Sequence, residues 1–190
     1  MGFSIARTLL VLILPQLLSC QSDISLAADS IQQEWNWKDS AGVVRQESEL
    51  KEILRAHALW VESKGSQGKS ANFTDADLTA VTMIDIDLAD TNFTRAILVR
   101  SKLVRTNFAR AHMALADFRE SIIDNSLFHG ANLTGSRFDK ATLTHARFDN
   151  ATMTRVNMSF INLAAQDLSH WNLSEANLLG ANLKNATLER

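Results

Sequence analysis

The five histidines are the side chains of this 190-residue chain that are best suited to proton transfer or metal binding. Their spacing is not that of a metal-binding cluster, and no phosphate-binding loop or nucleophile elbow accompanies them. Seven glycines in the whole chain leave few places for a backbone-lined active site. The sequence therefore predicts a protein that is not an enzyme, with no catalytic residue, no metal site and no cofactor.

His57 is the histidine that lies on a predicted helix. The stretch SELKEILRAHALWVESKG favours an amphipathic helix that Ser48 caps at its start and Gly65 ends. One interpretation is that His57 acts as a ligand or a base. The interpretation that we favour is that its ring is packed under the capping helix. The side of the helix that we expect to be buried carries Leu50, Ile53, Leu54, His57 and Val61.

A large apolar residue returns at every fifth position from Phe73 to Leu188, and this period determines the fold. The 24 positions hold 12 Leu, 7 Phe, 4 Met and 1 Ile; the residue two places earlier is small in 18 repeats, and the residue between is Asn or Asp in 13. A step of five suits neither a helix, which turns about 100° per residue, nor a strand, whose side chains alternate. Each repeat must therefore be a short strand followed by a corner that faces water.

The charged corner residues indicate how many repeats make one coil. Residues 71–90 carry five acids and no base, and residues 91–110 carry five bases and no acid. If four repeats close a coil, residue n lies next to residue n+20 at the strand spacing of about 4.8 Å. This offset predicts a four-sided coil held in register by the pairs Asp75–Arg95, Asp85–Arg105 and Asp90–Arg110.

The motif A-(N/D)-L-x-x, as in Ala131-Asn132-Leu133, resembles the repeat of the pentapeptide-repeat family along residues 71–190. The resemblance implies an all-β solenoid, a right-handed four-sided β-helix, here of about six coils. Many members carry an H-x-x-W helix before the first repeat, which is matched by His57 and Trp60 and implies a short N-terminal capping helix. Oversized residues in small positions also predict a local bulge near residues 156–171.

Residues 1–28 have the character of an export leader. A basic residue precedes a short apolar run, residues 9–18, which is too short to span a bilayer alone. The letters LLSC resemble a bacterial lipobox, so that Cys20, the only cysteine, is a candidate for lipidation and membrane attachment. Cleavage near residue 28 and an uncleaved anchor stay open. We expect an exported protein, either a membrane-anchored lipoprotein or periplasmic, with another lumenal or extracellular compartment as the alternative.

Between the leader and the repeats we expect an irregular segment, residues 29–47, and then the cap helix with its linker, residues 48–70. Exposed apolar residues on neighbouring sides of the first three coils are a candidate partner patch. The interpretation that we favour is that the irregular segment, with Trp35 and Trp37, covers them. The last coil offers a second surface, because the resemblance implies an end-to-end homodimer there. The patch residues are Ile84, Ile97, Val99, Val104 and Ile122.

Charge separates two classes of function. The first is an exported, non-catalytic binding or scaffold module with an unknown protein partner. The second comes from the best-understood family members, which protect DNA gyrase by imitating duplex DNA. Such mimicry requires a strongly negative cylinder, whereas residues 71–190 carry 13 acids and 12 bases and the chain has a net charge of −2. We therefore expect the first class and no nucleic-acid partner.

Overall fold

The computed structural model describes residues 35–188, so the predicted leader and Cys20 lie outside the described residues. A hairpin begins the described chain: β1 (Asn36–Lys38) pairs antiparallel with β2 (Val44–Gln46). The carboxylate of Asp39 closes the turn by accepting the N–H groups of residues 41 and 43 at 2.9 and 3.0 Å. The prediction that residues 29–47 are irregular is wrong for this part, because three-residue strands are too short to show a period.

Helix α1 (Glu47–Glu62) follows the hairpin directly. The predicted cap, Ser48, lies inside the helix; Gln46 is the N-cap, and its N–H donates to Oε2 of Glu49 at 2.8 Å. The helix ends three residues before Gly65, which lies in the following turn with a φ of +85°. The buried side of α1 carries Leu50, Leu54 and His57.

From residue 71 onward the backbone forms parallel bridges between residues that are 20 apart. Asn92 pairs with His112, and the same offset recurs on all four sides of the coil. Amides donate to the coil above, as from Phe93 to the carbonyl of His112 at 2.6 Å. Among the described repeats only β3 (Thr82–Ile84) and β4 (Lys102–Val104) are long enough to count as strands. This is the 20-residue register that the charges predict.

The fifth residue of each repeat turns the corner in the left-handed backbone region. With the exception of His170, the non-glycine corner residues between Asp75 and Asn185 have φ between +52° and +61°. This conformation costs an L-residue roughly 1–2 kcal/mol, which the hydrogen bonds between coils must offset. The corner side chains point to solvent and, with the Asn/Asp positions, form the lateral surface of the cylinder.

The large residues stack in columns along the axis. The ring centroids of Phe108 and Phe128 lie 5.0 Å apart, and those of Phe128 and Phe148 lie 4.6 Å apart. A second column places Phe118 at 4.8 Å from Phe138. These distances are close to the strand spacing of about 4.8 Å. Each buried ring contributes about 1.5–3 kcal/mol before entropy is counted, so the core stabilises the same register as the backbone.

The ladder of parallel bridges is interrupted at one place, in the region where the sequence predicts a bulge, near residues 156–171. Among the described coils, the offset of 20 requires bridges from Thr142 to Asn162 and from Arg147 to Asp167, and neither forms. On either side of this gap the bridges follow the regular offset. The bulge is therefore confined to two adjacent sides of one coil boundary.

Two oversized interior residues account for the gap. Gln166 stands where most repeats have Ala or Ser, and its Nε2 donates to the carbonyl of Leu143 at 3.4 Å. Trp171 occupies another small position and packs its ring 4.5 Å from that of Phe148. His170 is the corner residue between 75 and 185 that does not adopt a positive φ. At this boundary the side-chain contacts of Gln166 and Trp171 take the place of backbone bridges.

One interior column carries hydroxyl groups that the corner requires. Ser126 is fully buried; its Oγ donates to the carbonyl of Leu103 at 2.6 Å and accepts the amide of Thr106 at 3.0 Å. Ser121 is equally buried, but its Oγ donates to the carbonyl of Phe118, which already accepts the amide of Ser121 at 3.2 Å. The two serines are equally buried, but the amide of Thr106 and the carbonyl of Leu103 depend on the hydroxyl of Ser126 for a hydrogen-bond partner.

Replacing Ser126 should therefore destabilise the cylinder more than replacing Ser121. Ser126→Ala leaves a buried amide and a buried carbonyl unpaired, so we expect its free energy of unfolding to fall by about 1–3 kcal/mol more than that of Ser121→Ala. Urea unfolding followed by circular dichroism measures both variants. Equal losses in the two would show that the hydroxyl of Ser126 does not complete the corner.

Candidate functional site

Helix α1 places His57 against the first coil, where the ring is fully buried. Its Nδ1 accepts the N–H of Ala71 at 3.2 Å, and its Nε2 lies 3.1 Å from Oγ1 of Thr91. A backbone amide can only donate, so Nδ1 is unprotonated and Nε2 carries the hydrogen. Burial lowers the pKa of His57, against the opposing effects of the Asp87 and Asp90 carboxylates and of a hydrogen bond with the backbone of Ala89. Both ring nitrogens thus bind the protein itself.

The neighbours of His57 hold the ring in this position. Trp60, the second residue of the H-x-x-W motif, stacks on it with ring centroids 5.7 Å apart and planes 16° apart. After α1 the chain turns back along the helix in a return loop, residues 63–70. In this loop the amide of Lys69 donates to the carbonyl of Ala56 at 3.0 Å. Gly68 permits this approach, since a Cβ there would lie 2.2 Å from that carbonyl oxygen. The helix, the return loop and the first repeat meet at His57.

The remaining histidines are exposed and lie in separate columns: His112, His129, His145 and His170. His129 and Asp149 lie one coil apart in the same column, and Asp149 binds Arg147 at 3.1 Å. Within residues 35–188, no group of three or more His, Cys, Asp or Glu side chains could hold a metal ion. None of the helices in that range is long and apolar enough to cross a membrane.

Three bidentate ion pairs join the first coil to the second at the corners. Each arginine donates through Nε and Nη2 to the two carboxylate oxygens, at 2.5 to 2.9 Å. The guanidinium of Arg95 holds the pKa of Asp75 below its usual value, and Arg105 does the same to Asp85. All six side chains are exposed to a third or more. The pairs are Asp75–Arg95, Asp85–Arg105 and Asp90–Arg110.

Sequence reasoning missed a fourth pair of this kind and a set of local pairs. Arg155 binds Glu175 at 2.7 Å, one coil apart with the order of charges reversed. The sequence carries the signal, since both residues stand at the fifth position of their repeats. Arg119 binds Asp117 at 2.6 Å within one repeat, and the offset of 20 could not have indicated that contact.

The predicted partner patch is partly exposed. Ile97 and Ile122 are 39% and 42% exposed, on neighbouring sides of the second and third coils. The other three members are half-buried, and two of them stack on each other in the pairing of β3 with β4: Ile84, Val99 and Val104. The patch is therefore narrower than the sequence suggests and centres on the two exposed isoleucines.

The two tryptophans of the segment expected to cover this patch lie elsewhere, and residues 29–34 of that segment lie outside the described residues. Trp35 donates its Nε1–H to the carbonyl of Thr79 at 3.0 Å. Trp37 is buried, with its ring edge against Phe73 at a centroid distance of 6.0 Å. Both contacts are to the first coil, so the prediction that Trp35 and Trp37 cover Ile97 and Ile122 is wrong.

A second apolar corner was not predicted. Phe160 is 60% exposed and Leu179 is 66% exposed, one coil apart at the same corner. The ring of Phe160 lies over Gly180, where a Cβ would approach it to 2.7 Å. Large apolar residues at the fourth and fifth positions of a repeat are the signal that could have indicated this surface.

The ion pairs between coils allow a test of the register. Arg105→Asp places two acids together at one corner and should lower the midpoint of thermal unfolding. Adding Asp85→Arg should restore part of the loss, because the pair re-forms with its charges exchanged. Calorimetry of the two single variants and the double variant measures this coupling. A double variant no more stable than the weaker single variant would contradict the contact.

Comparison with known proteins gives matches of sequence and of structure. The family described as Pentapeptide repeats (8 copies) matches residues 71–110, and the Pentapeptide repeat region matches residues 101–190. No curated protein sequence is similar enough to count as a match. HetL, a pentapeptide repeat protein involved in heterocyst differentiation regulation from the cyanobacterium Nostoc sp. strain PCC 7120, is 22% identical, with a TM-score of 0.40 over 64% of this chain and 69% of HetL.

Two further solved structures are similar at the same level. A trypsin-treated form of QnrB1, a plasmid-mediated fluoroquinolone resistance protein, is 20% identical, with a TM-score of 0.47 over 63% of this chain and 59% of that chain. A pentapeptide repeat protein from the thylakoid lumen of Arabidopsis thaliana is 25% identical, with a TM-score of 0.34 over 54% and 61% of the two chains. The two sequence matches together span residues 71–190, well over half of the chain. The protein therefore belongs to the pentapeptide-repeat family, whose right-handed four-sided β-helix agrees with its 20-residue ladder.

Proposed function

We propose that this protein is an exported, non-catalytic binding or scaffold module at the bacterial cell envelope, built on about six coils with an N-terminal cap. The observation that carries the proposal is the pair of exposed isoleucines, Ile97 and Ile122, on a cylinder whose backbone groups bond from coil to coil. Exposed apolar side chains on a rigid surface favour a protein partner. The partner is a protein of unknown identity.

The role of residues 36–62 as a cap rests on three contacts with the first coil. Lys38 and Asp77 exchange two backbone hydrogen bonds of 3.0 and 2.9 Å, so that β1 adds an antiparallel strand to one side of the coil. Helix α1 adds the buried His57 and the apolar contacts of Leu50 and Leu54. A bare end would expose strand edges and the apolar core, and these contacts cover part of both.

Protection of a topoisomerase by DNA mimicry is the alternative. Against it stands the charge of the lateral surface, because three carboxylates of the first coil are bound bidentately by arginines of the second. An enzyme that grips phosphates would meet a nearly neutral surface there. Protection of gyrase by the mature chain in a supercoiling assay would favour this alternative over ours.

Export and lipidation can be tested through the mature N-terminus. We expect intact mass spectrometry of protein from the membrane fraction of a bacterial host to find a chain that begins at a lipid-modified Cys20. Cys20→Ala should abolish the modification and the membrane association together. A mature chain that begins near residue 28 would contradict lipidation but keep export. An intact Met1 in the cytoplasm would contradict export and favour the alternative function.

The partner surface can be tested by site-specific photo-crosslinking in the same cells. A crosslinking residue at Ile122 should give a discrete adduct that the same residue at Thr142, one coil further along the same column, gives weakly or not at all. A third position at Phe160 tests the second apolar corner. Equal adducts at Ile122 and Thr142 would contradict a patch centred on the isoleucines. Adducts between two copies would favour the end-to-end homodimer.

A further inference from the structure

The contact between His57 and the first coil forms only with a neutral ring. Nδ1 accepts the amide of Ala71 across 3.2 Å in a site that water does not reach. A proton on Nδ1 would turn two donors toward each other and would add a buried charge. The ring cannot turn to avoid this, because Nε2 is held at Thr91 and its face is stacked on Trp60.

The carboxylates near the ring would do little to stabilise a proton on it, because other groups already bind them. Asp87 and Asp90 are the carboxylates of the first coil that act on His57. The carboxylate of Asp90 is bound by Arg110 through two bonds of 2.9 and 2.5 Å. Oδ1 of Asp87 accepts two hydrogen bonds, from the amide of residue 89 and from the side chain of residue 107. On the return loop the nearest charged residue is Lys69, which is itself a cation.

We propose that His57 is an acid-sensitive latch, which holds α1 on the repeats at neutral pH and releases it when the ring is protonated. The other ties between residues 35–62 and the repeats include the backbone pair Lys38–Asp77 and the indole bond from Trp35 to Thr79. These groups do not titrate between neutral and mildly acidic pH. The latch is therefore the contact in this set that acid breaks.

Release would change what the cylinder presents. The amide of Ala71 and Oγ1 of Thr91 would lose the ring that they now bind, and the core of the first coil would lose the apolar contacts of Leu50 and Leu54. Mild acid would thus uncover part of the apolar core beside α1, whichever compartment holds the protein. This inference is independent of export and of the isoleucine patch.

The direction of the pH dependence follows from burial, which lowers the pKa of His57 in the closed form. Above about pH 6.5 the ring is neutral in both forms, so opening does not depend on its titration. Below that value the open form takes up a proton that the closed form resists. Opening should then increase by up to about tenfold for each pH unit, until the closed form is protonated as well.

Hydrogen exchange of the purified chain between about pH 7.5 and about pH 5 tests the latch, with rates corrected for intrinsic pH dependence. We expect residues 47–62 and the amide of Ala71 to lose protection as the pH falls, while the interior coils keep theirs. His57→Asn places an oxygen acceptor near the Nδ1 position and cannot titrate, so its protection should not change over this range. His129→Asn removes an exposed histidine and should behave as the parent chain.

Two results would overturn the proposal: parent protection that does not change with pH, or a His57→Asn variant with the parent's pH profile. If His57→Asn does not fold, nuclear magnetic resonance of the parent chain decides instead. The His57 ring should then be protonated at Nε2 alone at neutral pH. Its pKa should lie below the usual value of an imidazole, and its titration should accompany the loss of protection. Titration of the ring without any loss of protection would contradict the latch.

Discussion

The hydrogen bonds between successive coils are the constraint on which the rest of the structure depends. An amide can meet a carbonyl of the next coil on every side only if each coil uses the same number of residues, here 20. A side of five residues must then contain its own corner, so the fifth residue adopts a positive φ whether it is Asp, Arg or Leu. The unbroken period from residue 71 onward follows from this geometry rather than from any property of leucine itself.

The same constraint explains where the cylinder tolerates irregularity. Two sides of one coil boundary lack their bridges beside Gln166 and Trp171, yet the ladder resumes on the next sides. The ring contact between Trp171 and Phe148 keeps the axial column continuous across the gap. A solenoid is held by contacts between neighbouring coils, so a local loss on two sides leaves the other two to maintain register.

The repeats could be predicted from the sequence because the same pattern recurs in every one of them. The column Asp85–Arg105 gave the offset of 20, and the period of five gave the core. The hairpin could not be predicted, since its three-residue strands are too short to show a period. Nor does the sequence distinguish Ser126 from Ser121, because their difference lies in which carbonyl lacks a partner.

The candidate sites lie where the repeat does not determine the residue. Interior coils have a neighbour on each side and bond to both, whereas the first coil meets only one other coil and needs a different element against its free edge. Helix α1 and the hairpin contact this coil, the hairpin through the backbone of Lys38 and α1 through the titratable side chain of His57. A neutral imidazole is a tie whose strength depends on the pH outside the protein. The end of the cylinder is therefore the part of the fold at which a change of environment can act without disturbing the register of the coils.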